Sequence, residues 1–514
     1  SEAIRTQMNL AVDWLNEWAC SRTFGLGTHL PWDPQYVVDS LSDSTIYMAF
    51  YTIAHLLHGK GSLDGSVLGP YGITPDQMTS EVWDHIFLNK PCPAACTIPA
   101  EALAKMRREF EYWYGVDLRV SGRDLIKNHL TMFIYNHCAL FDKEKWPKSI
   151  FTNGFVVVDR QKMAKSTGNF ITIRGGIEEY SASALRIALA DCGDDMEDAN
   201  FVRRLVNKTI LDLYKELKWI EEVVAKRDSN EMRTGDLTFA DRSFLNELSL
   251  TIEQATAAYE GMLFRQALKH SWFELTNKRD QYRKMCNAER DASNTHVAVS
   301  VRYVEVLVSL LAPIAPHFCD HVWRHLLKKE GSALTAPWPV PEPQDLAITL
   351  STRYLVKALE GARAWKERLR KKNPQAQYNV AALYVNNQYE EWQMLVLQTL
   401  QEIYAEMHEI PKDISKRLGS IPQLKPNFKK VMPFVKMIQQ LVESQGPSAL
   451  EIHALYDEMD VLEQNRDFVC RDLEVPEVRF FLVTPGEPLS QEVDPAQRSP
   501  HASPNQPSCH FWSV

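Results

Sequence analysis

Lys162 and Lys165 stand three residues apart in Phe155-Val156-Val157-Val158-Asp159-Arg160-Gln161-Lys162-Met163-Ala164-Lys165-Ser166-Thr167-Gly168-Asn169, just after a short apolar run. Two ammonium groups beside the Ser166 and Thr167 hydroxyls, ahead of an expected helix, can converge on an anion by combining mobile charge with hydrogen-bond donors. A triphosphate suits that arrangement. When a carboxylate attacks the α-phosphorus, negative charge builds on the departing pyrophosphate, and lysines that meet it there favour the transition state over the ground state. The same residues also fit a plain solvated loop, and their spacing alone does not decide between the two.

The run at 155–158 predicts a buried strand feeding this loop, and residues 1–195 mix such runs with amphipathic stretches, which predicts an α/β unit. From 196 to 340 the period changes. Leu245, Leu248, Ile252, Ala255, Tyr259 and Met262 recur at alternating spacings of three and four, as do Val301, Val304, Val308 and Leu311, predicting a helix bundle. Trp338-Pro339-Val340-Pro341-Glu342-Pro343 then interrupts the pattern, because proline removes a donor and fixes φ. Residues 341–483 open with a basic helix around 365–372 and a strand-like run at Val380–Val385 and close on another at 478–483, predicting a small α+β domain. Residues 484–514 are rich in Pro, Ser, Gln and Asn and poor in aliphatic side chains, so they are expected to be disordered.

With 57 basic against 66 acidic side chains the net charge is −9, which is not the balance of a nonspecific nucleic-acid binder. Phosphates respond to charges within a screening length of ~8 Å, so local clusters matter more than the sum. Arg363, Lys366, Arg368, Arg370, Lys371 and Lys372 make one cluster, and Lys425, Lys429, Lys430 and Lys436 another. Either can follow an RNA backbone or simply face solvent. No apolar stretch is long enough to cross a bilayer. The nine cysteines lack the spacing of a disulfide framework, which favours reduced, cytoplasmic thiols. Cys92 and Cys96 could supply half a zinc site, but no second pair is spaced to complete it, and no tightly bound metal is expected.

The lysine loop closely resembles the K-M-S-K-S signature of class I aminoacyl-tRNA synthetases, with Ala164 where that family usually carries Ser. Ser183-Ala184-Leu185-Arg186, followed by Asp198-Ala199-Asn200-Phe201, resembles the stem-contact region that leads from the catalytic fold into a helix bundle. Leu311-Ala312-Pro313-Ile314-Ala315-Pro316-His317-Phe318, with Trp323 beyond it, resembles the anticodon-binding-type bundle of the leucine, isoleucine, valine and methionine enzymes. Ala19-Cys20-Ser21-Arg22-Thr23-Phe24-Gly25-Leu26-Gly27-Thr28 and Leu41-Ser42-Asp43-Ser44-Thr45-Ile46-Tyr47-Met48-Ala49-Phe50-Tyr51 are similar to eukaryotic cytosolic leucyl-tRNA synthetases. Asp117-Leu118-Arg119-Val120-Ser121-Gly122-Arg123-Asp124, then Asn128-His129, resembles the family's adenylate-binding turn from strand to helix. The likeness runs over about residues 1–480.

This resemblance implies the second half of a Rossmann-like class I catalytic domain with its stem-contact region in 1–195, an anticodon-binding-type bundle in 196–340 and the α+β domain in 341–483. The implied reaction is activation of leucine to leucyl-adenylate by ATP, which enters with Mg2+, and transfer to tRNA(Leu) in the cytoplasm. Lys162 and Lys165 would be catalytic. Lys162, Met163, Lys165, Ser166, Gly122 and Asp124 would hold ATP, Gly122 by admitting close backbone approach and Asp124 by accepting from ribose hydroxyls. Ser44, Tyr47 and His129 would lie near leucine or its adenylate, and Arg186, Lys366, Arg368, Arg370, Lys371 and Lys372 would contact tRNA. Other synthetases in a multi-synthetase complex are further expected partners, and no membrane is. Taken alone, Tyr47, four residues before Tyr51, also fits a packed helical face, and His129 a structural histidine. The family's H-I-G-H-like motif and inserted editing domain have no counterpart in the sequence. In the family both precede the matching segment, so the chain is expected to be truncated and to activate leucine poorly alone, since catalytic groups acting as a unit fail together. Two other readings stay open: a noncatalytic tRNA- or protein-binding fragment, and an isoleucyl- or valyl-type synthetase.

Overall fold

The computed structural model describes residues 2–513 apart from Asn16, Glu17, Leu26, Leu63, Asp64, Lys165, Thr167, Asp195, Lys412, His453, Pro485, Gly486 and Pro488. Two compact units emerge, one from Ser1–Thr172 with Cys192–Arg203, the other from Ile173–Asp191 with Arg204–Val514. The sequence places a break near residue 195 instead. Helix Ala182–Asp191 belongs with the helical unit because its buried Ala184 and Ile187 sit on the side that meets helices Phe264–Leu268 and Pro316–His321.

The first unit is α/β. A small antiparallel sheet of β1 (Ser21–Arg22), β2 (His29–Leu30) and β3 (Asp33–Val38) has β3 in its middle. Next come β4 (Arg119–Gly122) and β5 (Ile150–Asn153), which pair in parallel with Gly122 opposite Asn153. Parallel neighbours need a crossover, and helix His129–Leu140 supplies it. β6 (Val156–Val158) turns through Asp159 and Arg160, both at positive φ, into the antiparallel β7 (Gln161–Lys162), and also pairs in parallel with β8 (Ala199–Phe201). The core beneath joins Ile53, Leu56, Val82, Ile86, Met106 and Phe110, contributed by three helical segments whose apolar residues recur at helical spacing.

The second unit begins with helices that follow the predicted periodicity. Leu248, Ile252 and Ala255 are buried on helix Phe239–Glu260, and Val304, Val308 and Leu311 on helix Val297–Leu311. Its interior holds ions as well as oil. The Glu216 carboxylate is 2.7 Å from the Arg279 guanidinium and accepts from the Tyr303 hydroxyl at 2.8 Å, while Asp241 receives both Arg233 and the Tyr282 hydroxyl. Residues 337–345 carry no regular element, and the long helix Leu346–Lys372 follows. Beyond it, β9 (Val380–Val385) lies buried at the centre of a sheet between the parallel β10 (Glu477–Leu482) and the antiparallel β11 (Ser508–Trp512).

β11 overturns the expectation of a disordered tail. Phe511 is 1% exposed, Cys509 and Ala502 are buried, and the Tyr384 hydroxyl donates to the Val493 carbonyl. Asp494 accepts from the backbone N–H groups of Arg498 and Ser499, both at 2.7 Å, and the Arg498 guanidinium lies 4.0 Å from the Trp365 ring centroid. The tail is poor in aliphatic residues as the composition indicates, but one aromatic strand and a ring of backbone hydrogen bonds replace a core of its own with the face of β9.

Candidate active site

β4 ends at Gly122, and a short turn over Arg123–Leu125 leads into helix His129–Leu140, whose first backbone N–H donates to the Asn128 side chain at 2.6 Å. A Cβ on Gly122 would stand 2.5 Å from an Asp124 carboxylate oxygen. Glycine thus lets the carboxylate fold back over the strand end, and Asp124 remains exposed. At the helix start His129 is 4% exposed, its Nε2 lies 3.3 Å from Ser44 Oγ, and its Nδ1 is buried with no hydrogen-bond partner among the described residues. Ser44 and His129 are 85 residues apart in sequence. Tyr47, 36% exposed, accepts a hydrogen bond from Arg119 on β4 at 2.7 Å, and that guanidinium also lies over the Tyr47 and Phe133 rings. Gly122, Asp124, Ser44, Tyr47 and His129 are therefore linked through one strand end and the helix that follows it.

The first part of the lysine segment, Val156–Lys162, is a hairpin. The Asp159 carboxylate accepts from the Arg203 N–H, the Arg160 N–H donates to the Asn200 side chain, and the Asn169 amide spans the Val158 and Gln161 carbonyls. Lys162 is exposed at the end of β7, with its ammonium 5.9 Å from the Phe155 ring centroid. The Arg123 guanidinium lies 5.0 Å from the same centroid, so Phe155 connects the strand-end turn to the hairpin. Arg123 also donates to the Met196 carbonyl and pairs with Asp198 at 2.8 Å. Gly154 admits this segment, since a Cβ there would lie 2.1 Å from the Glu197 carbonyl oxygen. Met163 is half-buried and Ser166 exposed; Lys165 lies outside the described residues.

Arg119, Arg123, Asn169 and Asn200 escape a search for catalytic types, because each acts by holding another residue. The sequence carries no clear signal for the hairpin, because Gln161-Lys162 lacks strand-forming residues and Asp159-Arg160 is not a typical hairpin pair.

Two of the proposed RNA-facing cations bond backbone carbonyls. Arg186 donates to the Ile314 and Pro313 carbonyls at 2.6 and 3.0 Å, closing the turn between two bundle helices. Lys366 is 6% exposed and donates to the Leu473 carbonyl at 2.5 Å, capping helix Arg466–Leu473 in concert with Glu474. A buried ammonium held in this way cannot reach a phosphate, so Lys366 leaves the set, whereas Arg186 stays exposed and uses only part of its guanidinium on these carbonyls. Arg370 shares Glu474 at 3.3 Å, whereas Arg368, Lys371 and Lys372 are exposed and have no ion pair among the described residues.

His129 titrates below the ordinary histidine range, first because burial penalises the imidazolium and then because Arg119 repels it; His137, on the same helix, shifts down mainly by burial as well. Both rings are therefore neutral in the folded unit at neutral pH. As pH falls below about 6.5, the unfolded chain takes up protons that the folded chain refuses, and stability declines. Thermal unfolding of the first unit should shift downward between pH 7.5 and 5.5. A His137→Phe variant should flatten that slope, and an unchanged slope would dissociate these rings from it.

The family model for the class I (C) catalytic domain of tRNA synthetases matches residues 103–209, that for the anticodon-binding domain of tRNA ligases matches 241–381, and that for the RagD-binding domain of leucine–tRNA ligase matches 385–455. The cytoplasmic leucine–tRNA ligase of Pongo abelii is 40% identical over 99% of this chain and 45% of its own length, and that of Arabidopsis thaliana 39% identical over 98% and 47%. The chain thus spans about half the length of the curated relatives it matches, and the Pongo match reaches well past residue 480 into the Pro-rich tail. A solved structure of Mycobacterium tuberculosis methionyl-tRNA synthetase in complex with methionyl-adenylate covers 66% of this chain and 62% of its own at 19% identity, with a TM-score of 0.42, too loose a likeness to bear on the site.

Proposed function

Because the chain belongs to the cytoplasmic leucine–tRNA ligase family, we propose that it supplies one side of a leucine-activating site in a protein that joins leucine to tRNA(Leu) in the cytoplasm. The observation that carries this is the pairing of Ser44 with His129 at 3.3 Å, beside the strand that ends in Gly122 and Asp124. Residues expected separately for amino acid and for adenylate thereby come together. In the proposed reaction a leucine carboxylate oxygen attacks the α-phosphorus of ATP, the bond to pyrophosphate breaks, and tRNA's terminal hydroxyl later displaces AMP from the acyl carbon. Gly122 and Asp124 hold the ribose, Ser44, Tyr47 and neutral His129 surround leucine, and Lys162, Met163, Lys165 and Ser166 meet the phosphates. Mg2+ arrives on those phosphates, its usual ligands in such sites. Arg368, Lys371 and Lys372, within the anticodon-binding-domain match, face tRNA phosphates.

Replacing Lys165 with Ala in an enzyme that carries this segment together with the family's first ATP signature should lower leucine-dependent ATP–pyrophosphate exchange by about 2 kcal/mol or more, roughly thirtyfold, the usual cost of one preorganised charge. Exchange at the parent rate would take Lys165 out of the phosphate site.

Residues 385–455 support a second role, docking of RagD, on their match to a RagD-binding domain. Val396, Leu397, Leu400, Val431, Val435 and Ile438 give this segment a core of its own, and Tyr404, Ile410, Pro411, Met432 and Pro433 line an adjacent groove of ≈ 1140 Å³.

A further inference from the structure

Helix Pro316–His321 runs directly into a wider π-helical turn over Val322–Leu326. Cys319, Val322 and Trp323 are buried on its inner side, while His317, His321 and His325 recur every fourth residue and are all exposed. Residues four apart on a helix are surface neighbours, and the His321 and His325 ring centroids stand 5.2 Å apart with the planes inclined by 39°. Neither ring makes a hydrogen bond or an ion pair with any described residue. Both imidazoles therefore present ring nitrogens to water side by side, on a backbone already ordered by its buried face. The neighbouring acid does not compete for them: Asp320 is engaged by the Ser332 hydroxyl at 2.7 Å, the Ala333 N–H at 3.1 Å and Arg324 at 3.6 Å.

We propose that His321 and His325 form a two-imidazole chelate for a divalent transition-metal cation, a site separate from the leucine-activating residues. Borderline metals accept neutral imidazole at about 2.0–2.1 Å, and two rings from one helical row can take adjacent coordination positions while water fills the rest. Because both ligands sit on one helical segment whose backbone is already folded, binding has only the two side chains to order. The expected preference follows the general stability order, with Cu2+ and Ni2+ ahead of Co2+ and Mn2+. His317 lies one turn earlier in the same row, with no ring contact to His321 among the described residues, and serves as the internal control.

The test is calorimetric titration of the full chain with NiCl2 under reducing conditions, on the parent and on His317→Ala, His321→Ala and His325→Ala. One site should appear in the parent, persist in His317→Ala and weaken more than tenfold in each of the other two. Thermal unfolding with and without Ni2+ gives a second reading, since the parent and His317→Ala should rise in Tm with the metal and the other two should not. Equal Ni2+ affinity in all four proteins, or no saturable binding by the parent, would overturn the proposal.

Discussion

Replacing Glu216 with Ala should destabilise the helical unit by about 3–5 kcal/mol, the range for removing one partner of a buried ion pair. Glu216 is 2% exposed and joins three helices, forming an ion pair with Arg279 and accepting from the Tyr303 hydroxyl. The Arg279 guanidinium is itself 4.8 Å from the Trp219 ring centroid and 5.8 Å from that of Tyr303, so without the carboxylate it would keep its charge in an aromatic box, with the exposed Asp280 as its remaining ion-pair partner among the described residues. The Tyr303 hydroxyl would lose its acceptor at the same time. The double variant Glu216→Met with Arg279→Met removes both charges and should recover most of the loss, because apolar replacement of a whole buried pair is often neutral or better. Urea unfolding of the parent, the single and the double variant measures this. A double variant as unstable as the single would mean that packing around the pair, not the stranded charge, sets the cost.

Phe511→Ala should cost about 3–5 kcal/mol in the C-terminal sheet, the usual price of emptying a buried phenylalanine site. Phe511 is 1% exposed, pairs in register with Ala381 and lies edge-on to Tyr378. Deleting residues 508–514 should have the same sign and add self-association, since β9 would lose its antiparallel neighbour and present an open edge. Gln491→Ala, at an exposed tail position, is the control and should leave stability unchanged. Thermal unfolding with light scattering reads both effects. A tail that is truly disordered would leave all of these proteins alike.

The tail shows why part of the fold was hidden. Disorder follows from local composition, but Ser508–Trp512 is held by a strand more than a hundred residues earlier, and no local pattern contains that partner. The same holds for Lys366, a surface lysine by its neighbours until Leu473 and Glu474 close over it, and for Arg186, whose carbonyl partners lie across the bundle. By contrast, the bundle helices were legible because Leu248, Ile252, Val304 and Val308 carry the helical period in themselves. β9 and β10 were legible because short runs anchored by Val380, Tyr384 and Val385, and by Val478, Phe480 and Phe481, read as strand. The site residues came from family likeness at particular motifs. Physics alone would have left Tyr47 and His129 as packing, and the hydrogen bonds from Arg119 and to Ser44 show that they are positioned as well as packed. Asn169 and Asn200 were silent for another reason: their side chains hold the hairpin that carries Lys162, a role set by tertiary contact rather than by residue type.

The central claim is that Ser44, Tyr47, Gly122, Asp124 and His129 form a leucyl-adenylate site. It is tested most directly by calorimetric binding of a nonhydrolysable leucyl-adenylate analogue to this chain, with the isoleucyl and valyl analogues and a His129→Ala variant alongside. The account predicts saturable binding of the leucyl analogue, at least tenfold weaker binding of the other two, and a comparable loss in His129→Ala. Equal binding of all three analogues, or binding indifferent to His129, would contradict it.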